Sequence, residues 1–220
     1  MALLWIFSSL VGALMGVVVI GAWRRWPRLD WGQRWVASGI AVFFTLYLVA
    51  TPMAVMHRKT RLVQELPILL GTLALLQGFA TWQPNVSYRR ALRLIQVGFV
   101  LLWSWAQVLQ GLRNDFSTIS GPIHAAVIAT AAGLTLIAQA QFGSDRWTDQ
   151  GWFWISVGLM VVYGTEVLLD PLLDRIFRVR DDLANLAFGF HQVLSVAGYL
   201  LVLRGVLGPG KIRAKKRLLS

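Results

Sequence analysis

"LANLAFGFHQVLSVAGYLLVLRG", residues 183–205, decides what kind of fold this chain adopts. From Leu183 to Leu203 no residue carries a permanent charge, and His191 alone titrates near neutrality. As a helix, a run of this length covers the roughly 30 Å of hydrocarbon in a bilayer. Similar runs recur along the chain. With this one they predict seven transmembrane helices, at Ala2–Trp23, Trp35–Met56, Leu66–Trp82, Leu92–Leu112, Ile119–Phe142, Trp152–Leu169 and Leu186–Val206.

Composition agrees. Of 220 residues 56% are hydrophobic and 14% charged, and the mean hydropathy is +0.60. A soluble domain carries about a quarter charged residues. The gaps between runs are too short and polar for a second domain. Residues 1–207 therefore read as one all-α membrane domain and 208–220 as a basic cytoplasmic tail. The formal charge of +11 sits in the gaps and tail and not along one amphipathic face, which suits lipid headgroups better than nucleic acid. Anionic lipid is the partner expected at the tail.

Charge placement sets orientation. No positive residue precedes the first run, and Arg24 and Arg25 follow it, the reverse of a secretory signal. With the N-terminus outside and the C-terminus cytoplasmic, two thirds of the 21 Lys and Arg residues fall on the inner side. A cytoplasmic (inner) membrane, or an equivalent bioenergetic one, is the expected location. Trp5, Trp23, Trp26, Trp31, Trp35, Trp82, Trp147 and Trp152 cluster near run ends, as an aromatic belt does. Residues 170–185, "DPLLDRIFRVRDDLAN", begin with an Asp-Pro start signal and alternate apolar with charged residues, which predicts an interfacial helix on the outer surface.

"WGQRWVASGIAVFFTLYL" (31–48) weakly echoes "WTDQGWFWISVGLMVVYG" (147–164). A repeat there would make spans one to three parallel to spans five to seven, with span four as linker. That plan resembles the small sugar transporters of the PQ-loop type, although no Pro-Gln pair occurs in this chain.

Polar residues enter the spans selectively. Ser8, Gly12 and Gly16 form a small-residue stripe on span one for helix packing, with a homodimer or a membrane-complex partner as its further use. In span four Gln96, Trp103, Gln107, Gln110 and Asn114 share a face, and in span five so do His124, Ala131, Thr135 and Gln139. Tyr163 lies one turn from Glu166, and span seven aligns His191, Ser195 and Gly198. Polar groups in hydrocarbon need partners, so these faces are expected to meet in a polar interior between the last four helices.

Glu166 reads as the one carboxylate inside a span. It shares the outer leaflet with His124, His191 and His57, and Asp115 and Asp170 would lie at the rim. The expected function is binding or translocating a small ligand in an outward-facing pocket, with Glu166, His124, His191, Gln107, Tyr163 and Ser195 as ligand-binding or proton-relay residues. A second reading makes His124, His191 and His57 ligands to haem or a divalent metal in a redox or hydrolytic protein. A third is a non-catalytic subunit docking through the Ser8–Gly12–Gly16 face.

Other chemistries are excluded or lack their signatures. Without cysteine there are no disulfides, thiolate metal sites or thiol nucleophiles. No lysine lies within a span to hold retinal, and neither a GxSxG turn nor a phosphate loop is present.

Overall fold

The computed structural model describes residues 2–55, 61–111, 120–142, 146–177 and 181–208. They form seven α-helices: α1 Ala2–Arg25, α2 Trp31–Val55, α3 Arg61–Thr81, α4 Val86–Gly111, α5 Ser120–Phe142, α6 Gly151–Phe177 and α7 Asp181–Leu207. Short 3-10 turns at Trp26–Arg28 and Trp147–Asp149 lead into α2 and α6. Among the described residues five helices are long and apolar enough to cross a membrane, and α3 holds a shorter apolar stretch, Glu65–Thr81. The outside of the bundle is greasy: Leu94, Val108, Leu168 and Leu186 are each 68–72% exposed. Such a surface suits lipid and not water, which fits an integral membrane protein.

Residues 170–185 depart from expectation. No separate helix forms there among the described residues; residues 170–177 continue α6, and α7 opens at Asp181. The physical reason is visible in the spacing. Leu168, Leu169, Leu172, Leu173, Ile176 and Phe177 keep one helical period across Asp170-Pro171, so the start signal falls inside a helix already under way. The belt is also selective. Trp23 and Trp31 are exposed, whereas Trp82 and Trp152 turn into the core.

Two pairs of helices cross with their backbones almost in contact. On α2 and α3, a Cβ added to Gly39 would stand 2.9 Å from the Gly71 carbonyl oxygen, and one on Gly78 2.9 Å from that of Gly32. On α6 and α7, a Cβ on Gly198 would stand 2.7 Å from the Gly158 oxygen, and one on Gly205 2.6 Å from that of Gly151. Only glycine permits such approach.

The two crossings share one register. The step in chain position from Gly32 to Gly151 equals that from Gly39 to Gly158, and Gly71 to Gly198 equals Gly78 to Gly205. The side chains that fill the crossings obey the same steps: Val36 corresponds to Ile155, Phe43 to Val162, and Leu75 to Val202.

Helix neighbours repeat as well. α1 packs on α2 and on α7; α5 packs on α6 and on α3. The chain is therefore two parallel three-helix units, α1–α3 and α5–α7, each unit's first helix leaning on the other unit's third. α4 links them from outside, against α3 and α5. The sequence echo was real but misaligned, because the structural register pairs Trp31 with Gln150 and not with Trp147.

Among the described residues, Arg24, Arg25, Arg28, Arg34, Arg89, Arg90, Arg93, Arg146 and Arg204 gather at one end of the bundle, which is locked by hydrogen bonds. Asp30 caps α2: its Oδ1 accepts from the Gln33 N–H (2.8 Å) while Gln33 Oε1 accepts from the Asp30 N–H (3.0 Å). Trp82 Nε1 donates to the same Asp30 oxygen at 3.0 Å, and Gln33 Nε2 donates to the Gly205 carbonyl at 3.1 Å. Arg25 caps the C-terminal end of α7 at the Leu207 carbonyl. Asp30→Ala should therefore lower stability by about 1–2 kcal/mol, read as the thermal midpoint in mild detergent. An unchanged midpoint would show the cap to be idle.

The Ser8–Gly12–Gly16 stripe is used within the chain. Tyr47 packs over Gly12 and Phe44 over Gly16, and the Tyr47 hydroxyl donates to the Ser8 carbonyl at 3.2 Å.

Candidate functional site

At the end opposite the arginines, the polar stripes meet around a residue that the sequence placed in a headgroup region. Glu65, in the second turn of α3, is 1% exposed. Its Oε2 accepts from Trp103 Nε1 at 3.1 Å and from Gln107 Nε2 at 2.6 Å, and its Oε1 accepts from the Ser120 hydroxyl at 2.9 Å. Three side-chain donors from α4 and α5 thus converge on one buried carboxylate of α3. An unpartnered carboxylate in such surroundings would be costly; this one has a donor for each oxygen.

Ser120 and His124 lie one turn apart on α5, so the helix that holds Glu65 on one side presents an imidazole further along the same face. His124 Nε2 lies 3.8 Å from Glu166 Oε2 of α6, and the Glu65 carboxylate is within electrostatic range of the same ring. Tyr163 meets the His124 ring edge-on at 5.5 Å between centroids, and Tyr199 of α7 is buried with it. Phe43 of α2 closes the group, 6.0 Å from His124 and 6.3 Å from Tyr163. The result is a carboxylate, an imidazole and a second carboxylate in sequence, walled by aromatic rings.

The expected residues distribute as follows. Gln107, His124, Tyr163 and Glu166 belong to this cluster. His191 is buried on α7, with Nδ1 3.2 Å from the Thr165 hydroxyl, and Ser195 is buried one turn on. Thr165 and Glu166 are successive residues of α6, so their side chains leave the helix about 100° apart. The structure brings His124 to Glu166 and His191 to Thr165. Among the described residues no group of three or more His, Asp or Glu side chains is placed to share a metal ion. His57, Asp115, Asn114 and the basic tail beyond Gly208 lie outside the described residues, as do the side chains of Gln110 and Asp170.

The inner stripes also find partners. Gln83 Nε2 donates to Thr135 Oγ1 at 2.8 Å, and Gln139 Nε2 reaches the Trp82 carbonyl. These contacts tie α5 to the end of α3 near the arginines.

Glu65 is the functional candidate that the sequence reading missed. It stands one residue before the predicted span and just after Arg58, Lys59 and Arg61, so it looked like part of a charged gap. Two signals could have found it. Glu65, Thr72 and Phe79 repeat at heptad spacing on what proves to be the buried face of α3. The Trp103–Gln107 stripe also consisted of donors in need of an acceptor. The chain matches no protein-family model, no curated protein and no solved structure, so its function rests on the site itself.

Proposed function

We propose that this protein is a membrane carrier that binds a small polar solute at the Glu65–His124–Glu166 cluster and couples its movement to protons. The observation that carries this reading is that the cluster bridges the two repeat units. Glu65 comes from α3 of the first unit, and Ser120, His124 and Glu166 come from α5 and α6 of the second. Carriers built from paired repeats hold substrate and coupling ion where the repeats meet, since rocking one unit against the other then exposes the site to each side in turn.

The chemistry suits that task. His124 Nε2 and Glu166 Oε2 are 3.8 Å apart, so a small approach would let a proton pass from the imidazole to the carboxylate, and an ionised Glu166 could instead receive a positively charged or hydrogen-bonding solute. Gln107, Tyr163 and Ser195 supply neutral hydrogen-bonding groups around this path. With the arginines at the cytoplasmic side, the site faces outward.

Proteoliposomes loaded with a pH-sensitive dye provide the test, with sugars, amino acids and small amines presented in turn. One solute class should drive proton movement in the wild type, and the rate should fall by roughly a hundredfold or more in Glu166→Gln and in His124→Phe, the usual range for losing a general acid or base. If no class moves protons, or if both variants match the wild type, the carrier reading fails.

A further inference from the structure

α4 is the one helix without a counterpart in the other unit, and its packing leaves a groove. The groove lies between α3 and α4, with a volume of about 550 Å³. Leu73 of α3 and Val97 and Leu101 of α4 supply its apolar walls. Gln77 and Gln96, joined by a 3.3 Å hydrogen bond, and Trp35 of α2 lie toward the end where the arginines gather. From Leu70 to Gln77 the slot runs about 10 Å along the bundle at 1.5 Å per residue.

What enters this slot is indicated by the residues just beyond it. Arg93, Val97 and Leu101 recur at every fourth position, so Arg93 extends the groove-lining stripe of α4 by one turn toward that end. Its side chain is exposed, as are those of Arg89 and Arg90 one turn earlier. By the same helical period these two flank the Arg93 direction by about 50° on either side. In order along α4 the surface therefore offers three guanidinium groups, an amide pair and a hydrocarbon slot.

We infer that the α3–α4 groove is a binding site for an anionic phospholipid, with an acyl chain in the slot, the ester region beside Gln77 and Gln96, and the phosphate against Arg93. Guanidinium groups match phosphate oxygens in charge and in bidentate geometry. A zwitterionic lipid could place the same chain but would bring its ammonium toward three positive charges. The Trp35 indole near the amide pair suits the headgroup boundary, where such rings collect. Its residues belong to α2, α3 and α4, whereas the basic tail follows α7 in the sequence.

The full chain, delipidated in a maltoside detergent, can be titrated with phosphatidylglycerol and phosphatidylcholine and read by native mass spectrometry. Phosphatidylglycerol should be retained preferentially. Arg93→Gln should cut that preference by about fivefold, the effect of one basic residue at a membrane surface, while leaving phosphatidylcholine retention unchanged. Leu73→Trp fills the slot and should lower retention of both lipids, and Arg24→Gln, on α1, should alter neither. Arg93 is exposed, so its variant should fold even if the Leu73 variant does not; retained helicity and monodispersity check this. Equal retention of the two lipids by the wild type would overturn the site. So would an unchanged preference in Arg93→Gln, with the preference lost instead on removing the basic tail. A delipidated dimer that Leu73→Trp converts to monomer would assign the groove to a second copy.

Discussion

Glu65→Leu should strongly destabilise the protein, whereas Glu65→Gln should fold almost as the wild type does and lose its proton-linked activity. Leucine removes the carboxylate that accepts from Trp103 Nε1, Gln107 Nε2 and the Ser120 hydroxyl. Each buried donor stranded in this way costs about 1–3 kcal/mol. Ser120 is buried and Trp103 and Gln107 half-buried, so the summed loss is a sizeable part of the roughly 5–15 kcal/mol that holds an ordinary domain.

Glutamine escapes this penalty. Its carbonyl oxygen can accept from both Trp103 and Gln107, as Glu65 Oε2 does, and its amide can donate to Ser120 once that hydroxyl turns round. Only the negative charge is lost. Monodispersity and thermal midpoint in mild detergent read the first effect, and dye-loaded proteoliposomes the second. A Leu variant as stable as the wild type would show that the three donors do not depend on Glu65. A Gln variant that is stable and fully active would leave Glu65 structural and would place proton coupling elsewhere.

Gly198→Leu should be about as damaging, for a steric reason. The obstacle to its Cβ is the Gly158 carbonyl, 2.7 Å away, with the Val162 side chain beside it. A side chain can swing aside, but a helix carbonyl cannot leave without parting α6 from α7. Overpacking of an interior costs about 1–3 kcal/mol and occasionally more. Here the cost includes the Gly151–Gly205 contact on the same two helices. By the shared register, Gly39→Leu should do comparable harm at the α2–α3 crossing.

Gly98→Ala is the control. Nothing lies within 4 Å of the position its Cβ would take, so it should be neutral or stabilising by less than about 1 kcal/mol. Folded yield and thermal midpoint rank the four proteins. If Gly98→Ala and Gly198→Leu behave alike, the close crossing does not hold the bundle together.

Much of the architecture was legible beforehand, for identifiable reasons. Apolar length marked the helices, because crossing a bilayer imposes a minimum run. Helical period marked the wet face of α4, and the structure turns Trp103 and Gln107 toward Glu65 and Gln96 toward Gln77, both of α3. Less was legible at boundaries. Asp170-Pro171 carries a start signal, yet sits within α6, since the apolar helical period of the sequence runs unbroken across it. Glu65 was hidden because a carboxylate beside basic residues looks solvated until its neighbours in space are known.

Taken alone, the sequence determined an all-helical bundle with apolar helices long enough to cross a membrane, and it named Glu166, His124 and His191 as polar groups in need of partners. Hydropathy, period and the cost of unpartnered polar groups act along a single helix, so they can be read along a single chain. Only the tertiary structure decided that α3 supplies the carboxylate that the wet face of α4 required. It also decided that Gly32, Gly39, Gly71 and Gly78 are matched by Gly151, Gly158, Gly198 and Gly205, and that α4 leaves a groove above Arg93. Each of these depends on which helix lies against which, and that choice is made by the shapes of whole faces in contact.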